Sequence, residues 1–335
     1  GTQIKPVIVS KDKALIVDDS KALEEIEIIE NTIPMKLAFI YPSKLVSKYA
    51  KSSMNTVLGY FDYKKIKYEI KVFDTLNEDV LNIENAFLSA KEQGYENIIA
   101  LFTPNTMQVI HSIDTSDLRV YLPLASKRNI EFINENFIYG AISYEDQIKK
   151  LLEYSSSNNI MFYQSSFLGN KLKTLYETIS PDVKLIKEIK KKKNDFKDIV
   201  KDNRLKNSTL FLNTPIVKTS ILLSQLRSYD IQPKVILSTQ INYNPKILTL
   251  TQVKDRSNFV LANSIDKVDD SLRDTISTFG ADIQYNWVDY STLVGINYLY
   301  DENESSLIQT HVLDNEVIYE TRLLITTAYG FLEIK

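Results

Sequence analysis

Hydroxyl and amide side chains stand directly after a series of short apolar runs. Pro42-Ser43 closes KLAFIYPS, Thr103-Pro104-Asn105-Thr106 closes NIIALFTPNT, and Ala125-Ser126 closes RVYLPLAS. Further along, Gln164-Ser165-Ser166 closes NIMFYQSS, Asn213-Thr214-Pro215 follows Leu210-Phe211-Leu212, and Ser238-Thr239-Gln240 follows Val235-Ile236-Leu237. Such groups carry no charge, yet they donate and accept hydrogen bonds. Gathered at one edge of a sheet they would hold a small polar ligand. A single hydroxyl after a strand does no more than cap the next helix. The QSS and STQ clusters offer more polar groups than one cap requires.

Other chemistry finds little support. There are no cysteines, which removes thiol nucleophiles, disulfides and Cys-based metal sites. His111 and His311 are the only histidines, and neither sits in a ligand-spaced motif. Asp18-Asp19, Asp269-Asp270 and Glu302/Glu304 read as solvated caps and turns, and Lys190 to Lys193 as a solvated loop. No phosphate-cradling glycine loop is present. We therefore expect no enzyme, no metal and no cofactor. The formal charge of −3 argues against a nucleic-acid partner. No apolar run approaches the roughly 18–20 residues that span a bilayer. Tyr41, Tyr139, Tyr163 and Tyr243 fall near strand ends or links, where they would stack in a cleft or pack in the core.

The elements that must position these residues alternate in type. The strand KLAFIYPS leads into a helix over 44–61, with Leu45, Val46, Tyr49, Val57 and Leu58 on its inner side. YEIKVFDT is the next strand. The helix after it starts near Asn77 and Asp79, carries Val80, Ile83, Phe87 and Ala90 inward, and stops at Gly94. Ser143 with Asp146 resembles a capping box. Thr214 suits an N-cap and Pro215 a first helical turn. Strands alternating with helices imply parallel sheets, and near-continuous apolar strands imply burial on both faces. Residues around Asp314-Asn315 read as a hairpin. At 335 residues the chain is long for one core. We expect an N-terminal extension over 1–35, a first lobe over 36–140 plus 264–300, and a second over 141–263 plus 301–335. In the extension, PVIVS and ALIVDD read as strands and SKALEEIEIIENTI as a helix or docking segment.

From about Lys36 to Tyr300 the order of segments resembles the type I periplasmic-binding-protein family. The resemblance is carried by KLAFIYPS, by IIALFTPNT followed by YLPLAS, and by NIMFYQSSFLGNKL. It continues through NDFKDIV, NTPIVKTSILLSQLRSYDIQPKVILSTQ and GADIQYNWVDYSTLVGINYLY. It implies an α/β fold of two Rossmann-like lobes with parallel sheets, a hinge, and a ligand cleft between the lobes. The family covers Leu/Ile/Val-type solute-binding proteins. It also covers the C-terminal domain of outer-membrane lipoproteins that activate penicillin-binding proteins, which NTPIVKTSILLSQLRSYDIQPKVILSTQINYNP resembles most.

In the amino-acid binders, small polar groups after the third and fourth strands hold the ligand carboxylate. The resemblance puts these on Thr103, Asn105, Ala125 and Ser126. The acid that pairs the ligand ammonium has no counterpart at Ser238-Thr239-Gln240, and YPSKLVSK replaces the glycine-rich first loop. Two readings follow. One is an extracytoplasmic binding protein for a small polar ligand other than a classical amino acid. The other is a regulatory envelope module, with a protein partner and a degenerate cleft. The expected ligand-binding residues are Ser43, Thr103, Asn105, Ser126, Tyr163, Ser165, Asn213, Ser238 and Gln240. The resemblance implies the periplasm, or the outer membrane facing it. The start Gly1-Thr2-Gln3 is compatible with a lipid anchor on a trimmed N-terminus.

Overall fold

The computed structural model describes residues 7–10, 33–128, 130–156, 158–180 and 182–335. The expected strand ALIVDD and nearly all of the acidic segment after it lie outside these residues. The chain divides into two units, Gly1–Ile142 with Ile265–Tyr319, and Ser143–Ser264 with Glu320–Lys335. It therefore passes from one unit to the other three times.

The first unit is built on β1 (Val7–Ser10), β2 (Met35–Tyr41), β3 (Tyr68–Asp74), β4 (Asn97–Ala100), β5 (Arg119–Leu122), β6 (Phe137–Tyr139), β12 (His311–Leu313) and β13 (Glu316–Ile318). These form one eight-stranded sheet in the order β1-β3-β2-β4-β5-β6-β13-β12. From β3 through β6 every neighbour is parallel. Leu37 to Ile40 of β2 are wholly buried, as a strand covered on both faces must be. β1 adds antiparallel to β3, with Val7 opposite Val72. Residues 7–10 are thus part of the first sheet, not of a separate extension.

The second unit contains β7 (Asn159–Tyr163), β8 (Val183–Glu188), β9 (Thr209–Asn213), β10 (Val235–Ser238), β11 (Phe259–Asn263), β14 (Arg322–Thr326) and β15 (Phe331–Glu333). Their order is β15-β14-β11-β10-β9-β7-β8. The five strands from β11 to β8 are parallel, and β14 and β15 close the sheet antiparallel. Its core gathers Phe162, Leu210, Leu212, Leu222, Leu226 and Leu261.

The tail differs from expectation. Residues 301–319 belong with the first unit, not the second. The cause is a pairing the sequence does not announce: β13 runs parallel to β6, with Glu316 opposite Tyr139, and the Tyr319 hydroxyl donates to the Gly140 carbonyl. The hairpin itself forms as read. Asp314 and Asn315 both take the left-handed conformation of a two-residue turn, at φ 51° and 59°.

Helix Ser43–Lys64 also corrects a reading. Leu45 and Tyr49 are exposed, and the buried face is Val46, Ala50, Ser53, Thr56, Val57, Gly59, Tyr60 and Phe61. This face meets helices Asp270–Thr278 and Trp287–Asp301, and at Gly59 the approach leaves no room for a side chain. A Cβ on Gly59 would lie 2.8 Å from the Ile276 Cα. The seam carries its own polar pairs. Tyr60 donates to Asn297 (2.9 Å), Thr292 to Ser53 (3.0 Å), and Ser52 to the Asp289 carboxylate (2.7 and 2.5 Å). Burial pushes the Asp289 carboxyl up to about 6. Across the sheet, Tyr121 of β5 lies against both Gly140 and Gly295. A Cβ at Gly295 would fall 2.3 Å from the Tyr121 ring, whose hydroxyl donates to the Ser291 carbonyl at 2.7 Å.

Candidate functional site

In the second unit, parallel register brings the polar strand ends together. All five residues of β9 are buried, and its last, Asn213, pairs with Tyr163 of β7. The same register pairs Leu237 with Phe211, which sets Thr239, just beyond β10, level with Asn213. The Ser238 hydroxyl donates to the Leu212 carbonyl at 2.8 Å and accepts from Asn242 Nδ2 at 2.6 Å. Asn242 Nδ2 also reaches the Thr214 carbonyl at 3.3 Å.

Among these bonds sit groups that bond to nothing in the protein. Both side-chain atoms of Asn213, the Thr239 hydroxyl and Asn242 Oδ1 are buried and unpartnered. An unpaired buried polar group costs about 1–3 kcal/mol, so most proteins remove or satisfy it. Here such atoms fall on adjacent strand ends. They offer an amide that donates and accepts, a hydroxyl that does either, and a second amide oxygen. No charge belongs to the set. It is suited to hydroxyl and amide groups on a small neutral molecule.

Next to this cluster lies a saturated one. Gln147, on helix Tyr144–Leu152, donates through Nε2 to Gln240 Oε1 (3.0 Å) and to Ser264 Oγ (2.8 Å), and its own Oε1 accepts from the Gln240 amide (2.8 Å). Gln240 Nε2 donates to Asn263 (2.9 Å), and Gln240 Oε1 accepts from the Ser264 amide (2.8 Å). The polar groups of Gln240 and Ser238 are therefore taken up inside the protein. Thr214 does not cap the following helix. Pro215 is its N-cap, and the Thr214 hydroxyl bonds the Thr219 hydroxyl at 2.7 Å. Ser165 is exposed and bonds Asn170 at 3.5 Å, while its neighbour Ser166 caps helix Phe167–Ile179 through the Gly169 amide (2.9 Å). Ser143 caps helix Tyr144–Leu152 by accepting from the Asp146 amide at 3.1 Å.

The four expected residues of the first unit are engaged differently. The Thr103 amide donates to Glu78 Oε2 at 3.1 Å, and its hydroxyl donates to Glu78 Oε1. The Ser43 amide donates to Asp74 Oδ1 at 3.0 Å, and Asp74 Oδ1 also takes the Leu76 amide at 2.8 Å. Ser126 accepts from the Arg128 amide at 3.2 Å. Asn105 is exposed in a 3-10 turn, Pro104–Thr106. Nearby, burial and then the Asp74 carboxylate hold the Tyr41 phenol above its ordinary range.

Glu78, Gln147, Thr239 and Asn242 are thus the residues that join the expected set. Thr239 and Asn242 were readable as part of the density of amides and hydroxyls in STQIN. Glu78 and Gln147 left no local signal. Among the described residues no group of three or more His, Cys, Asp or Glu is arranged to hold a metal ion. Lys190 and Lys193 pair with Glu188 and Asp198 at 2.9 and 2.8 Å, as a solvated loop would. Tyr139 is buried in the core, and Tyr243 packs on Phe331 with ring centroids 4.9 Å apart.

Two α/β units of mostly parallel strands, with the chain passing three times between them, define the type I periplasmic-binding-protein fold. No family model matches the chain, and no curated protein matches its sequence. Solved structures do match. One assigned to a branched-chain amino acid ABC transporter of Rhodospirillum rubrum has a TM-score of 0.67 at 12% identity, over 90% of this chain and all of that one (100%). A solute-binding protein of an ABC transporter from R. palustris, solved with 4-hydroxybenzoate, has a TM-score of 0.62 at 9% identity, over 90% of this chain and 96% of that one. Full-length LpoA from Haemophilus influenzae has a TM-score of 0.60 at 12% identity, over 93% of this chain and 61% of that one. Among the described residues no helix is long and apolar enough to cross a membrane.

Proposed function

We propose that this chain is a non-enzymatic extracytoplasmic binding protein that holds a small neutral polar ligand at the carboxyl edge of its second sheet. The observation that carries the reading is the set of buried, unpartnered atoms: both side-chain polar atoms of Asn213, the Thr239 hydroxyl and Asn242 Oδ1. In open parallel sheets, ligands meet the protein beyond the carboxyl ends of strands. Amide and hydroxyl groups there suit sugars, polyols or peptide groups. A free amino acid fits less well, because a buried ammonium without an acid is costly. The structural neighbours solved with solutes support a binding role of this general kind. We put the protein in the periplasm, or on the outer membrane facing it.

A second reading, a regulatory module of the cell envelope with a protein partner, is favoured by one observation. The Thr103 donors expected to receive a ligand are already bonded to Glu78. Calorimetry with a panel of neutral sugars, polyols and dipeptide amides, beside leucine, isoleucine and valine, separates the two. Binding of a neutral solute that is lost in Asn213→Leu and Thr239→Val supports the first reading. Tight binding of a free amino acid overturns it, and silence across the panel leaves the second.

A further inference from the structure

We propose that the opposite, amino-terminal edge of the second sheet carries a separate site for a phosphate-class oxyanion. A cavity of about 310 Å³ opens there, beside the residues that precede β9 and β10 and the end of helix Ile216–Ser228. Three cations line it, Arg227, Lys234 and Lys254, against one acid, Asp255. The local balance is thus 3 − 1, or two positive charges, on a chain whose total is −3. A basic concavity on an acidic protein concentrates anions.

The acid is already committed. Asp255 Oδ2 accepts from the Gln252 amide at 3.0 Å, closing a capping box on the short 3-10 helix Val253–Arg256. None of the three cations makes an ion pair with a described residue. Arg227 brings a planar fork of donors suited to two oxygens of one anion, and the lysines bring point charges. Gln232 and Ser257 add neutral donors on the same wall. The floor is rigid, since Leu226 and Ile236 behind it are buried core. A tetrahedral dianion, free or as a phosphate monoester, meets this charge and donor pattern better than a monovalent carboxylate.

The experiment titrates inorganic phosphate into the full chain by calorimetry at low ionic strength, with chloride as the control anion. Saturable phosphate binding is expected, weakening as salt rises and falling at least about tenfold in R227Q/K254Q. Both residues are exposed, so the variant keeps the wild-type melting temperature. Asn213→Leu, which removes the neutral-ligand set, leaves phosphate binding unchanged. A parallel sedimentation with phosphatidylcholine vesicles containing phosphatidic acid tells a soluble phosphate from a lipid headgroup. Binding to these vesicles in addition to phosphate supports the site and adds the lipid source. Vesicle binding without phosphate binding overturns it. So does undiminished phosphate binding in R227Q/K254Q, which means an adventitious ion only. Absence of saturable heat up to about 10 mM phosphate overturns it as well.

Discussion

One residue, Thr103, gives both its backbone amide (3.1 Å) and its hydroxyl to the carboxylate of Glu78, 25 positions earlier in the chain. These are donors that the family resemblance assigns to a ligand carboxylate. In this protein an internal carboxylate takes them.

Removing that carboxylate should expose the donors. In Glu78→Ala we expect acetate at about 10 mM to raise the melting temperature more than it does in wild type, because two charge-assisted hydrogen bonds become available. Without acetate the variant loses about 1–2 kcal/mol. Thermal unfolding with acetate or chloride decides it, and equal shifts in both proteins refute the idea.

The unpartnered amide of Asn213 makes the opposite prediction for stability. Asn213→Leu replaces a buried unsatisfied group by an apolar one of similar size. It should leave stability unchanged or raise it by about 1 kcal/mol, while binding of a neutral solute is lost. Urea unfolding checks the first half. A loss of several kcal/mol would mean that the amide is satisfied in solution by a group that stays with the protein.

Asp289 sets a pH dependence. Its folded pKa of about 6 stands above the ordinary value of 3.8, so the folded state holds the proton more tightly. The contribution is therefore full below about pH 3.8 and is lost as pH rises through 6. The loss amounts to at most about 3 kcal/mol. Asp289→Asn keeps one acceptor for Ser52 and should flatten this slope. Urea unfolding between pH 4 and 7 compares the two, and parallel slopes would show that Asp289 does not titrate there.

Gly295→Ala should destabilise the first unit by about 1–3 kcal/mol, since the new methyl group meets the Tyr121 ring. Shrinking the ring in the double variant with Tyr121→Leu should recover part of the loss. A double variant less stable than additivity predicts would place the strain elsewhere.

The succession of strands and helices was legible because the central strands β2, β4, β5, β7, β9, β10 and β11 are short apolar runs that are mostly buried. The inner face of helix Ser43–Lys64 was legible only in part: Val46 and Val57 are buried as expected, but the small and polar residues that share the face carry no apolar signal. Its seam is built from Gly59, Ser53 and Ala50, and Leu45 and Tyr49 point outward. The edge strand β15 escaped because it has three residues and an exposed Leu332. At the candidate site, Asn213 and Ser238 stood out as polar residues closing apolar strands. What each one bonds could not be read. Gln147 meets Gln240 across 93 positions, and Glu78 meets Thr103 across 25, distances over which sequence pattern carries no signal.

The three passages between units also set a timetable for synthesis. Helix Ser43–Lys64 is made early, yet Ser52 and Tyr60 wait for Asp289 and Asn297, each 237 positions later. At about 5–20 residues per second, that delay is roughly 10–50 s. Until Asp270–Thr278 and Trp287–Asp301 are made, the helix lacks both helices that cover its inner face, while the intervening strands of the second unit emerge complete up to β11. A nascent chain of this architecture offers an unpaired helix face to whatever binds emerging polypeptides, long before it can offer a finished ligand site.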